Sequence, residues 1–66
     1  MNIRINGKET EIQENITIHD AIIILKMENK KIAIELNGNI ISKNKYHETI
    51  LKNGDIMEIV SAIGGG

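Results

Sequence analysis

Three Asn-Gly dipeptides, at Asn6-Gly7, Asn37-Gly38 and Asn53-Gly54, divide this chain and limit what it can fold into. Glycine has no Cβ and asparagine a short amide that bonds locally, so together they accept the positive φ angles of a two-residue hairpin turn. Ile3 and Ile5 alternate with polar residues before the first dipeptide, and Ile32, Ile34 and Leu36 alternate before the second. The pattern predicts antiparallel strands over 2–6 and 8–12, and a second pair over 32–36 and 39–42. The third dipeptide, followed by Asp55, marks a bend before a last strand over 56–61. Lys43 to Glu48 is a polar stretch that reads as a turn or one helical turn.

Between the two hairpins Thr17 stands three residues before Asp20, a weaker relative of the capping box, and Ile18, Ala21, Ile22 and Leu25 follow at helical spacing. This predicts an amphipathic helix over 18–27, with Ile23 and Ile24 widening its apolar stripe. Hairpin, helix, shorter strands and a final strand are most economically buried with one helix laid across a mixed sheet. The expected fold class is α+β: a β-grasp domain over residues 1–63, with four to five strands packed on one α-helix. A flexible Gly64-Gly65-Gly66 tail follows it.

Size and composition narrow the function. A chain of 66 residues has room for one core and none for an enclosed cleft. The apolar fraction of 41% and charged fraction of 26% suit a folded domain. Ile dominates the apolar set and Tyr46 is the single aromatic residue, which favours strands. A net charge of -1 with scattered Lys and Arg argues against a nucleic-acid partner. Cysteine is absent, so disulfides, thiolate metal sites and cysteine nucleophiles are ruled out. No apolar run reaches membrane-spanning length, and Met1 leads directly into strand pattern instead of a signal peptide. The expectation is a cytoplasmic protein, monomeric when free.

His19-Asp20 and His47-Glu48 are the side chains that most resemble a metal or acid–base site, but both fall at polar boundaries and read as solvated surface. Two histidines are too few ligands to specify a metal. Ser42 and Ser61 have no base arranged to activate them. The remaining candidate is the C-terminus, where the folded pattern stops at Ile63 and three residues without side chains carry a carboxylate outward, a frayed end without function being the alternative reading. Such a segment can pass through a narrow channel. A carboxylate with a pKa of about 3.5 is a poor electrophile near neutral pH, so a partner must activate it. Adenylation with ATP supplies a leaving group, and a sulfur nucleophile can then leave a thiocarboxylate on Gly66.

On the last strand Glu58 marks the outward face, so alternation turns Ile56, Val60 and Ala62 outward and Met57 and Ile59 to the core. Val60 and Ala62 beside the tail are a candidate apolar recognition patch. Gly64 and Gly65 are candidate partner-binding residues, and Gly66 is the candidate reactive residue.

The whole chain resembles the ThiS family, ubiquitin-like sulfur carriers of thiamine thiazole biosynthesis. The likeness is carried by Ile3-Arg4-Ile5-Asn6-Gly7, by Thr17-Ile18-His19-Asp20-Ala21-Ile22, and by the stretch from Ile34 to Ile41. Leu51 to Val60 and the terminal Ile63-Gly64-Gly65-Gly66 complete it. The resemblance implies that an E1-like adenylating enzyme (ThiF-type) activates Gly66 with ATP. It implies further that a cysteine desulfurase provides sulfur and that thiazole synthase (ThiG-type) accepts it. The chain itself is then no enzyme and binds no cofactor or metal. The small subunit of molybdopterin synthase shares the fold and terminal Gly-Gly but is usually longer, with prolines shortly before the tail. This chain has no proline, which favours the thiazole branch. A ubiquitin-like modifier, using a lysine amine in place of sulfur, and an interaction module with an inert tail are the other readings.

Overall fold

Both hairpins form where the first two Asn-Gly dipeptides place them. In the computed structural model, which describes residues 1–61, the chain forms β1 (Asn2–Ile5) and β2 (Lys8–Glu11), then helix α1 (Ile18–Ile24). Next come β3 (Ile32–Leu36), β4 (Asn39–Ile41), a 3-10 turn at Lys43–Lys45 and β5 (Ile56–Ser61). Asn6 and Gly7 have φ of 51° and 81°, and Asn37 and Gly38 have 52° and 87°. Both turns are thus of the I′ kind whose twist matches the flanking strands. At the third dipeptide only Gly54 has positive φ, 88°. The Asp55 amide donates to the Lys52 carbonyl at 3.0 Å there, making a different turn from the same two residue types.

The strands form one mixed sheet in the order β2-β1-β5-β3-β4. The last strand takes the centre, parallel to β1 and antiparallel to β3. Helix α1 is the crossover between the hairpins and covers one face of the sheet. Ile3, Ile18, Ile34, Leu51 and Met57 fill the core, each almost wholly buried. Met57 and Ile59 point inward as alternation requires, while Ile56, Glu58 and Val60 are exposed.

The helix is shorter than its apolar run suggested. Its N-terminus carries a complete capping box: the Thr17 side chain accepts from the Asp20 amide, and the Asp20 carboxylate accepts from the Thr17 amide. Its C-terminus is closed by Lys26 at φ 60°. The Met27 amide donates to the Ile22 carbonyl and the Lys26 amide to the Ile23 carbonyl, both at 2.9 Å, which is a Schellman motif with lysine in the usual glycine place. Two turns bring only Ile18, Ala21 and Ile22 fully inward. Ile23 and Ile24 therefore face solvent at 45% and 49% exposure and do not widen the buried stripe. No helix among the described residues is long and apolar enough to cross a membrane.

Candidate functional site

The candidate site begins at the end of β5, because this strand leads to the glycines. Ala62, Gly64, Gly65 and Gly66 lie outside the described residues. What the fold supplies is the platform from which they depart. On one side β5 is paired with β3 up to Ser61, which stands opposite Ile32. On the other side β1 has already turned away, and the Asn6 side chain replaces it. Asn6 Oδ1 accepts from the Ile59 amide at 2.7 Å and Nδ2 donates to the Ile59 carbonyl at 3.2 Å. One turn residue thus extends the sheet beyond the end of its own strand.

Asn37 performs the corresponding task where β5 begins. Its Oδ1 accepts from the Ile56 amide at 2.9 Å, its Nδ2 donates to Asp55 Oδ1 at 3.0 Å, and its own amide donates to the Ile56 carbonyl at 2.7 Å. Asp55 in turn accepts from the Lys52 amide at 2.8 Å. Both hairpin turns therefore bind the central strand as well as joining their own. The dipeptides revealed the turns, but nothing in their local pattern revealed this second partner.

Val60 is 61% exposed and stands opposite Ala33 in register. One step along, Glu58 faces Glu35, which in turn faces Ile40 of β4, 79% exposed. The outer face near the strand end is thus apolar at Val60, Ala33 and Ile40 and acidic at Glu35 and Glu58. Like charges directly opposite across strands weaken a sheet. Ala33 escaped sequence reasoning because only the β3–β5 register brings it beside Val60.

Around the same end of the sheet, on the helix side, runs a groove of about 680 Å³. It is bounded by the loop after α1, the turn after β4, and Val60 and Ser61. His19 and His47, expected as separate solvated residues, stack here with ring centroids 3.9 Å apart and planes 27° apart. The His19 amide donates to the Tyr46 carbonyl at 3.1 Å, bringing their segments together. Tyr46 is buried, and that burial pushes its hydroxyl above the usual phenol range against the opposing pull of a hydrogen bond with the Ile34 backbone. Hydrogen bonding by the Thr17 backbone holds Asp20 below the usual carboxylate range, with smaller contributions from the Thr17 side chain and the two imidazoles. Among the described residues no group of three or more His, Cys, Asp and Glu is arranged to hold a metal.

A mixed five-stranded sheet packed on one helix, with the C-terminal strand at its centre, defines a ubiquitin-like β-grasp protein. The chain belongs to the ThiS family, whose model it matches over residues 3–66. It is 38% identical over 65 residues to the sulfur carrier protein ThiS of Bacillus subtilis (strain 168), covering 97% of this chain and 98% of that protein. A thiazole synthase of Paramagnetospirillum magneticum is 35% identical over 66 residues, which amount to 20% of its length. The crystal structure of the thiamine biosynthesis protein ThiS from Geobacter metallireducens aligns with a TM-score of 0.87 at 29% identity, covering 100% of both chains.

Proposed function

We propose that this chain is a sulfur carrier for the thiazole of thiamine, loaded as a thiocarboxylate on Gly66. The observation that carries this reading is the nearly end-to-end similarity to the Bacillus subtilis sulfur carrier, within a family match that runs to Gly66. In the first step the Gly66 carboxylate attacks the α-phosphate of ATP, releasing pyrophosphate and forming an acyl-adenylate. The outer sulfur of a persulfide, formed from cysteine by a desulfurase, then displaces AMP to give an acyl disulfide, and a thiol reductant cleaves its S–S bond to leave the C-terminal thiocarboxylate. The activating enzyme is of the E1-like, ThiF type. The carrier contributes the acyl group and the surface by which it is recognised, and acts as co-substrate.

Thiazole synthase of the ThiG type is the proposed acceptor. A similar stretch of sequence within a thiazole synthase supports this, since joining two partners in one chain makes their encounter intramolecular. Val60 and Ala62 are proposed to meet the partner beside the tail, with Gly64 and Gly65 inside its channel.

The test is intact-mass analysis after incubation with ATP, cysteine, a cysteine desulfurase, a thiol reductant and the ThiF-type enzyme. The expected result is a gain equal to replacing one oxygen by sulfur, localised to the C-terminal peptide. An unchanged mass with an enzyme active on another carrier would refute the proposal.

A further inference from the structure

The groove at the end of β5 is more basic than the molecule that bears it. The whole chain has a net charge of -1, yet among the described residues Lys30, Lys31 and Lys43 line this groove with a single carboxylate, Glu28. Sheet topology brings them together: Lys30 and Lys31 precede β3, Lys43 follows β4, and the end of β5 lies beside the start of β3. Lys30 and Lys43 take part in no ion pair among the described residues, whereas Lys45 is paired with Glu48 at 3.3 Å. Between these lysines are the half-buried apolar groups Met27 and Ile32.

We propose that this groove seats an acidic segment of the enzyme that activates Gly66, carboxylates meeting Lys30 and Lys43 and an aliphatic side chain covering Met27 and Ile32. The inference rests on the carrier function proposed above. An enzyme acting on Gly66 must approach along the residues after Ser61, five positions that span at most about 18 Å when extended. Its channel mouth therefore closes against the surface around Ser61, and the groove is part of that surface. The lysines sit on exposed, flexible stems around an apolar floor, which suits a mixed acidic and aliphatic segment better than a small anion. Rim charges of this kind act chiefly on encounter and register.

The test compares the full-length native chain, a Lys30→Glu/Lys43→Glu variant and a Lys8→Glu/Lys52→Glu variant of the same net charge, whose substituted residues line no part of the groove. Affinity for the purified ThiF-type enzyme is measured by fluorescence anisotropy at several salt concentrations. ATP–pyrophosphate exchange gives KM and kcat, and thermal melts confirm folding. The groove variant should bind about tenfold more weakly and raise KM by a similar factor with kcat little changed, and its affinity should lose most of its salt dependence. The control variant should stay close to native. Equal effects in the two variants, or a loss confined to kcat, would overturn the proposal, as would self-association of the native chain that the groove substitutions abolish. Native binding without ATP exchange would fail the carrier function alone, and no native binding would overturn both.

Discussion

Asn6 and Asn37 show how a turn residue can serve a strand to which it does not belong. Each sits at positive φ, near 50°, and in that conformation its amide reaches the backbone of β5. At Ile59 both backbone groups would otherwise be left without their ladder partner, because β1 has ended at Ile5. Replacing Asn6 by Gly keeps the φ angle accessible and removes only the amide group. The expected cost is about 1–3 kcal/mol in chemical denaturation, from unmade bonds at a partly buried site. Hydrogen exchange at the Ile59 amide should accelerate more than that at Met57. Unchanged protection at Ile59 would show that Asn6 does not hold the strand end. Asn6→Asp should fall between the two, since it retains the acceptor for the Ile59 amide and loses the donor to its carbonyl.

Helix α1 is defined at both ends by side chains and backbone, not by its isoleucines, whose β-branching is slightly unfavourable in a helix. Lys26 at φ 60° closes the Schellman motif in a conformation that strains any residue with a Cβ. Lys26→Gly should therefore raise stability by up to about 1 kcal/mol, the relief exceeding the extra unfolded-state freedom of glycine. A lower melting temperature would mean that the lysine side chain contributes more than the strain costs. At the other end, Thr17→Ala should cost about 1 kcal/mol. The capping box also gives a pH dependence. Asp20 has a folded pKa below its unfolded value of about 3.9, so its contribution is complete above that value. It is lost as pH falls through the lower, folded pKa. The acid limb of the stability profile below about pH 4 should be shallower in Asp20→Asn than in the native chain, as followed by circular dichroism.

For the whole molecule, β5 separates core packing from the proposed recognition surface along one strand. Ile59, 8% exposed, belongs to the core, and Ile59→Ala should cost roughly 2–5 kcal/mol. Val60→Arg should change stability by less than about 0.5 kcal/mol while weakening binding to the activating enzyme, because Val60 faces solvent. An unfolded Val60→Arg variant would contradict that separation. The proposed tail chemistry should be separable too. Holding three residues extended in a channel costs on the order of 3–6 kcal/mol, and a side chain would add steric exclusion. Removing one residue would leave the carboxylate about 3.5 Å short of the nucleotide. Gly65→Val, deletion of Gly66 and one alanine added after Gly66 are each expected to abolish thiocarboxylate formation, read by intact mass, with the melting temperature nearly unchanged. Normal loading of the shortened or lengthened chain would exclude the terminus as the working group.

The alternating isoleucines, the Asn-Gly turns and the Thr17–Asp20 cap are local signals, and they determined both hairpins, the start of the helix and the inward and outward faces of β5. They did so because strand alternation, turn φ angles and capping act within a few residues of one another. The outward position of Val60 was legible for the same reason. Only the tertiary structure decided that β5 lies between β1 and β3, and hence that Asn6 binds Ile59 and Asn37 binds Ile56. Pairings across more than fifty residues, as between Asn6 and Ile59, leave no mark in the local pattern of either segment. The early end of α1 belongs with them, since a lysine at positive φ is disfavoured locally and is held there by the Schellman bonds and by Met27 packing against the core. The histidine stack and the basic groove likewise join a helix, a turn and two loops. Their neighbours in space are set by how the helix lies on the sheet, which no run of residues specifies alone.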